Sequence, residues 1–390
     1  MIRYLTAGES HGPALVGIVD GLPAGMRLDV PAIQAELKRR QGGHGRGRRM
    51  QIESDEVEFL SGVRGGETLG SPVALYVRNR DFENVRNIMD PMTGAGPPIT
   101  RPRPGHADFA GALKYRHRDL RNVLERASAR ETAMRVAVGA LCRQYLALVG
   151  IRVSGRVVRI GDVASRQFDR APGPDVEDSP VRCDDDAASA AMVEAIDKAK
   201  EDGDTLGGAF EVRAAGMPVG IGGNRQPADR LDARIAGALM SIQTVKAVEI
   251  GSGSFGGAFT GSTAHDTFEP GQDGPARGSN RAGGIEGGMS NGQDVVAYVR
   301  VKPIATLMRP LASVDLVTGA RAPATIVRSD VCAVPAASVI GEAMLCIALA
   351  EAVSEKYGSD SVEELTAHFA ASERGARALF SVLHPPAGND

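Results

Sequence analysis

Two of the seven histidines sit in glycine-bracketed turns beside arginines, and that pairing carries the most chemistry in the chain. His11 lies in Gly8-Glu9-Ser10-His11-Gly12, directly after the apolar run Ile2 to Ala7. His106 lies in Arg101-Pro102-Arg103-Pro104-Gly105-His106-Ala107-Asp108. Histidine has an ordinary pKa of roughly 6.5, so it gives or takes a proton near neutrality. Flanking glycine lets a ligand approach the backbone, and nearby arginine suits an anion held by planar, bidentate hydrogen bonds. The combination points to proton transfer on a phosphate or carboxylate substrate. A turn-capping histidine is the structural alternative for His11. Ser10 raises a Ser-His dyad, but neighbours in extended backbone point to opposite sides, so a nucleophilic serine is the weaker use.

Four further segments carry charge or unusual backbone. Lys38 to Arg49 contains no acid, and Arg101 to Arg135 is strongly arginine-biased. Within the first, Gly42 to Arg49 reads as a solvated loop, an RNA-binding tract, or a mobile arginine loop that closes over a phosphorylated substrate. Aromatic residues make up 4% of the chain and Trp is absent, which leaves few stacking platforms for nucleic acid and favours the closing loop. Glu125 to Thr132 falls where a long helix is expected to begin. It reads as a phosphate-binding helix N-terminus or as a helix laced by i,i+4 ion pairs from Arg126 and Arg130, and spacing leaves both open. Asn280 to Gly292 is either a long surface loop or a backbone wall against a flat ligand. The cost of ordering so much glycine favours the wall. Arg328-Ser329-Asp330 is an ion pair at a strand end, or an anion clamp with a proton acceptor beside it.

The elements that must position these residues are short strands and longer helices. Strands are expected at Ile2 to Ala7, Leu15 to Val19, Met50 to Phe59, Pro72 to Arg78, Ile151 to Ile160, Ala209 to Ala215, Ala247 to Ile250 and Val295 to Val301. Several alternate with period 2, as half-buried antiparallel strands do. Helices are expected at Pro31 to Arg40, Ala129 to Leu148, Ala187 to Glu201, Leu231 to Gln243 and Ala336 to Lys356. Ser361-Val362-Glu363-Glu364 reads as a capping box opening a last helix, and Pro385 to Asp390 as a frayed tail. Gly251 to Gly256 matches GxGxxG letter for letter, but more glycine follows it in place of a helix, so a Rossmann domain is not indicated.

Composition bounds the rest. At 390 residues, 43% hydrophobic, the chain reads as one large globular domain over 1–390. A net charge of −3 argues against bulk attraction to nucleic acid or an anionic membrane, so the local arginine clusters fit a small anion. The four cysteines form no CxxC pair, and neither a zinc site nor a disulfide framework is expected. No leader is visible, and no apolar run approaches the ~18 residues needed to span a bilayer. A cytoplasmic location is the simplest expectation.

In this order, GESHG at 8–12, RRQGGHGRG at 39–47, RPGHAD at 103–108, ERASARET at 125–132, NRAGGIEGGMSNG at 280–292 and RSDVCAVPAA at 328–337 resemble the chorismate synthase family. The resemblance implies an α+β sandwich of helices and antiparallel sheets, a homotetramer, and no Rossmann domain. It implies a lyase that eliminates phosphate from 5-enolpyruvylshikimate 3-phosphate in a 1,4-anti sense, giving chorismate. Reduced FMN is required, without net redox change, because the flavin lends and recovers an electron. By the same resemblance His11 protonates the departing phosphate, His106 protonates the reduced flavin, and Asp330 lies near flavin N5. Arg40, Arg46, Arg103, Arg130 and Arg328 grip the substrate's phosphate and carboxylates, with Ser10 beside His11. Arg40 and Arg46 also mark the family's NADPH site. Flavin contacts fall on Arg126, Ala127, Ser128, Gln243, Thr244, Gly287, Lys302, Pro303, Ile304, Ala305, Thr306 and Arg328. Ala127 and Ala305 stand where many members have serine, which removes two hydroxyls from that list. The family includes members that reduce their own flavin with NADPH and members that need an external reductant. An RNA-binding protein using the basic tracts is the alternative class.

Overall fold

The structure is a computed structural model and describes residues 1–47, 54–167, 170–271, 275–327, 329–358 and 360–383. Two antiparallel sheets lie on either side of a helical layer. The first contains β1 (Arg3–Ala7), β2 (Ala14–Asp20), β3 (Val57–Ser61) and β4 (Val73–Arg78), in the order β1-β2-β4-β3. The second contains β5 (Arg152–Ile160), β6 (Val163–Ala164), β7 (Gly208–Ala215), β8 (Val245–Ile250) and β9 (Val295–Val301), in the order β8-β9-β7-β5-β6. The helices are α1 (Val30–Gln41), α2 (Phe82–Met89), α3 (Asp108–Tyr115), α4 (Arg121–Ala127), α5 (Thr132–Ala147), α6 (Asp186–Glu201), α7 (Leu231–Met240), α8 (Val334–Tyr357) and α9 (Val362–Leu383). α5 packs against β1, β2 and β4 on one side and against α8 on the other, and α8 lies on β5 and β7. The expected α+β sandwich of helices and antiparallel sheets is present, with no parallel, doubly wound sheet among the described residues.

Period-2 burial holds in the first sheet. Val73, Leu75 and Val77 of β4 and Leu15 and Val19 of β2 face α5 and are inaccessible. Each such side chain contributes about 1.5–3 kcal/mol by leaving water. The second sheet departs from that pattern, because β7 and β9 are buried on most positions of both faces. The helix starts follow local chemistry. Asp29 accepts from Ala32 N at 3.0 Å to cap α1, and Asp185 accepts from Ala188 N at 3.1 Å to cap α6.

Several boundaries differ from the sequence reading. Of the strand expected at Met50 to Phe59, residues 50–53 lie outside the described residues, and β3 begins only at Val57. The helix expected from Ala129 starts at Thr132, after a single 3₁₀ turn at Ala129–Glu131 that Ser128 caps. α7 stops at Met240, short of Gln243. The capping box is half formed. Glu364 N donates to Ser361 Oγ at 3.2 Å, but the Glu364 carboxylate takes the N–H of Asp360. GxGxxG follows β8 into one helical turn, Gly253–Gly256, and no long helix succeeds it. The tail at 385–390 lies outside the described residues.

α8 corrects the reading that no segment is apolar enough to span a bilayer. It runs 24 residues with a mean hydropathy of 1.8 over its central window. Protein surrounds it: 94% of that window is buried against the α5 layer and the second sheet. A helix hydrophobic all round is the form a core helix takes.

Candidate active site

The turn after β1 brings the first histidine into place. Gly8 has φ +110°, and a Cβ there would meet the Ala14 carbonyl oxygen at 2.4 Å, so only glycine closes this turn. Asn79 Nδ2 donates to the carbonyls of Glu9 (3.0 Å) and Gly12 (2.8 Å) from the end of β4. Glu125, near the end of α4, grips the turn three ways. Its carbonyl accepts from Ser10 N at 3.0 Å, its Oε2 accepts from His11 N at 2.8 Å, and both carboxylate oxygens lie 3.0 Å from His11 Nδ1. The other ring nitrogen, Nε2, is 3.9 Å from Asp81 Oδ2.

His106 repeats the arrangement from a different part of the chain. Its Nδ1 lies 2.6 Å from Asp108 Oδ1, and Asp108 is buried at the start of α3. A carboxylate only accepts, so Nδ1 carries the proton and donates it. Arg103 Nη2 also lies 3.0 Å from Nδ1, but two donors cannot bond each other. The same Nη2 lies 3.3 Å from Nε2 as well. Burial alone would raise the Asp108 carboxyl, yet hydrogen bonds from His106 and Arg103 hold it well below the usual carboxylate range.

Both histidines line one cleft of about 970 Å³. Around them lie Ser10, Arg40, Arg46, Arg103, Ala127, Ser128, Arg130, Gln243, Thr244, Lys302, Ile304, Ala305, Thr306 and Asp330, so most of the expected site residues meet in one place. An apolar wall faces them, built from Val327 and from Ala333, Ala336, Ala337 and Ile340 at the start of α8. Arg126, Pro303 and Gly287 do not line this cleft, and Arg328 lies outside the described residues. The Arg126 guanidinium turns back to the carbonyls of Thr6 and Gly8, bracing the His11 turn. α4 ends and α5 begins within Glu125 to Thr132, so no single helix runs through it, and Ser128, Ala129, Arg130 and Thr132 at the start of α5 line the cleft. Among the described residues Arg126 pairs with Glu131 at 3.9 Å and Arg130 pairs with Asp55.

The arginines are held by acids, and of these only Asp330 was an expected site residue. Arg40 Nη2 donates to Asp55 Oδ2 at 2.8 Å, and Arg130 Nη1 donates to Asp55 Oδ1. Arg130 Nε donates to Asn79 Oδ1 at 3.0 Å. Burial would raise the Asp55 carboxyl, but the two guanidinium groups pull it below its ordinary value. Asp330 takes Arg46 Nη1 on one oxygen and the N–H of Gly47 on the other, at 2.7 Å. His44 of the same loop bonds Asp197 at 2.7 Å. The described part of the arginine loop is thus pinned to the body of the protein; Arg48 and Arg49 lie outside the described residues. Glu125, Asp81, Asp55 and Asn79 are far apart in the chain, and no spacing rule joins them.

Backbone also shapes the cleft. Thr244 lines it at φ +76°, a left-handed conformation that is a true outlier for a β-branched residue. Its carbonyl accepts from Lys302 N at 2.9 Å, which sets the depth of the 302–306 segment. The glycine wall expected at Asn280 to Gly292 is not part of the cleft lining. Gly283, Gly284 and Gly288 face protein backbone: a Cβ on Gly283 would meet Gly251 N at 2.3 Å, and one on Gly288 would meet the Gly223 carbonyl at 2.7 Å. Among the described residues no group of three His, Cys, Asp or Glu side chains is placed to hold a metal ion, and the four cysteines are free and buried.

The family model described as chorismate synthase matches residues 2–354. The chorismate synthase of Desulforudis audaxviator is 58% identical over 372 residues, covering 94% of this chain and 95% of the relative. That of Symbiobacterium thermophilum is 56% identical over 384 residues, covering 94% and 97%. A crystal structure of chorismate synthase superposes with a TM-score of 0.78 at 40% identity, over 97% of this chain and 98% of that one.

Proposed function

This chain belongs to the chorismate synthase family, and we propose that the cleft shared by its two histidines is the site of its reaction. The enzyme is a lyase that eliminates phosphate from 5-enolpyruvylshikimate 3-phosphate in a 1,4-anti sense, leaving chorismate. The family uses reduced FMN for this, with no net redox change. One observation carries the assignment of the site. Each histidine has a buried carboxylate on Nδ1, and both rings open onto a cleft lined by Arg40, Arg46, Arg103 and Arg130.

The cleft fits a flavin beside a small anionic substrate. Its volume is at the upper end of the roughly 300–1,000 Å³ typical of small-molecule sites. Arg40 Nε and Gln243 Oε1 are buried there without a hydrogen-bond partner among the described residues, and such atoms are expected to find one. Ala127, Ser128, Gln243, Thr244 and the 302–306 segment would hold FMN, with the apolar start of α8 available to a flat ring. Bound FMN supplies an electron that it recovers by the end of turnover. The arginines hold the substrate's phosphate and carboxylates by paired hydrogen bonds. His11 delivers a proton from Nε2 to the departing phosphate, His106 is the donor toward the flavin, and Asp330 is the acceptor carboxylate beside them. Arg40 and Arg46 suit NADPH as well. The chain assembles as a homotetramer through the outer face of the first sheet, where Leu5, Ile18 and Leu60 are exposed.

The test is an anaerobic assay of chorismate formation with chemically reduced FMN, run beside oxidised FMN plus NADPH, on protein whose mass is taken by sedimentation. Turnover in the first arm is expected. Turnover in both adds an intrinsic flavin reductase. Silence in both from folded protein, or a single-chain mass, counts against the corresponding part of this reading.

A further inference from the structure

His11 touches more protein than a proton donor needs in order to be held, and almost all of that contact comes from one residue. Glu125 is 3% exposed, deeper than the histidine it faces. Its backbone carbonyl fixes Ser10 N and one carboxylate oxygen fixes His11 N, so the turn is already placed before the imidazole is considered. The same carboxylate still reaches Nδ1, with both oxygens at 3.0 Å. An ionised carboxylate has no proton to give, so the neutral ring beside it must carry its hydrogen on Nδ1. On the far side, Asp81 has its Oδ1 occupied by Asn84 Nδ2 at 2.8 Å, which leaves Oδ2 turned toward His11 Nε2 at 3.9 Å. That gap is too long for a hydrogen bond. It places a negative charge where a proton would arrive on Nε2.

We propose that Glu125 is the positioning residue for His11: it fixes the Nδ1–H tautomer and so makes Nε2 the atom that carries the proton exchanged with the leaving phosphate, with Asp81 favouring the proton's arrival there. This rests on the reading of His11 as the donor to phosphate. Proton balance follows directly. The ring, about a quarter exposed, takes its second proton on Nε2 from solvent water and becomes an imidazolium between two carboxylates. It then passes that proton to the phosphate and returns to the Nδ1–H form. A histidine with the opposite tautomer would keep its hydrogen on Nε2 in the neutral state and would recharge through Nδ1, away from the cleft.

The Glu125→Gln variant separates holding the turn from holding the proton. The amide oxygen can still accept from His11 N, while the amide NH₂ facing Nδ1 turns that nitrogen into an acceptor and moves the ring hydrogen to Nε2. The ¹⁵N shifts of the His11 imidazole, assigned by their loss in His11→Ala and read where the ring is neutral, are expected to show Nδ1–H in the native enzyme and Nε2–H in Glu125→Gln. With reduced FMN, kcat is expected to fall at least about 10²-fold, the usual worth of a positioned acid, with KM nearly unchanged. A neutral native ring with its hydrogen on Nε2 overturns the proposal without any variant. So does a Glu125→Gln enzyme whose kcat is unaltered. Full activity in His11→Ala sinks the reading of His11 itself and the proposal with it, whereas an inactive His11→Ala beside a fully active Glu125→Gln sinks the proposal alone.

Discussion

At the scale of single residues, both histidines of the cleft and its arginines Arg40, Arg46, Arg103 and Arg130 are each fixed by a carboxylate. Asp55 shows why. It lies between Arg40 and Arg130, and all three side chains are at most 4% exposed. Removing a shared partner from two buried guanidinium groups costs far more than the pair contributes relative to an apolar core. Asp55→Ala is therefore expected to lower the unfolding free energy by about 3–5 kcal/mol, measured by denaturant titration. Inorganic phosphate should recover part of the loss by binding the freed arginines in the folded state only. A loss under about 1 kcal/mol, within the range of an exposed ion pair, would show that Asp55 does not hold them. The sequence exposed the cleft-facing half of this set, because His11, His106 and the arginines sit in compact motifs with glycine and proline. It hid the supporting half. Asp55, Asn79, Asp81 and Glu125 occupy a strand approach, a strand end, a helix start and a helix end, and each looks ordinary in its own neighbourhood.

At the scale of elements, legibility followed the strength of the local signal. β9 is described over the very span expected, and α1 and α6 start at their capping aspartates. The helix expected from Ala129 starts three residues later, at Thr132, because tertiary contact holds Ser128 out of it: the Ser128 hydroxyl reaches Ser10 Oγ at 3.1 Å. The glycines at 280–292 were given to a ligand because composition cannot say what a bare backbone faces. Gly139 makes the same point inside α5. A Cβ there would meet Ala343 Cβ at 2.5 Å and Ala343 Cα at 2.6 Å, both on α8. Alanine gains about 1 kcal/mol of helix propensity over glycine, but neither helix can yield without disturbing the core, and overpacking costs about 1–3 kcal/mol. Gly139→Ala is expected to lower stability, by up to about 2 kcal/mol net. A rise in Tm would mean that α5 and α8 separate more easily than their contact implies.

At the scale of the whole molecule, burying so many ion pairs links stability to pH with a definite sign. Burial pushes the carboxyls of Asp55, Asp108, Glu131, Glu177 and Glu342 upward, and in each case arginine or histidine partners pull further, leaving them below their ordinary values. Glu342, on the buried length of α8, has the most partners, with Arg39, Arg143 and Arg182 all bonded to it. A carboxyl with a depressed folded pKa binds more protons when unfolded. Its contribution is fully present above the ordinary value, about 4, and is lost as pH falls through the lower folded value. Glu351 runs the other way, since burial raises its carboxyl. Between its ordinary and raised values the folded form binds the extra proton, so its share falls as pH rises. Five depressed groups outweigh one raised group. Denaturant midpoints are therefore expected to change little from pH 7 to pH 5 and to drop steeply below about pH 4. In Glu342→Gln the starting stability should be lower and the acid drop shallower, because one of the linked protons is gone. Parallel acid limbs in the two proteins would mean that Glu342 titrates alike folded and unfolded, and that its three arginines do not depend on its charge.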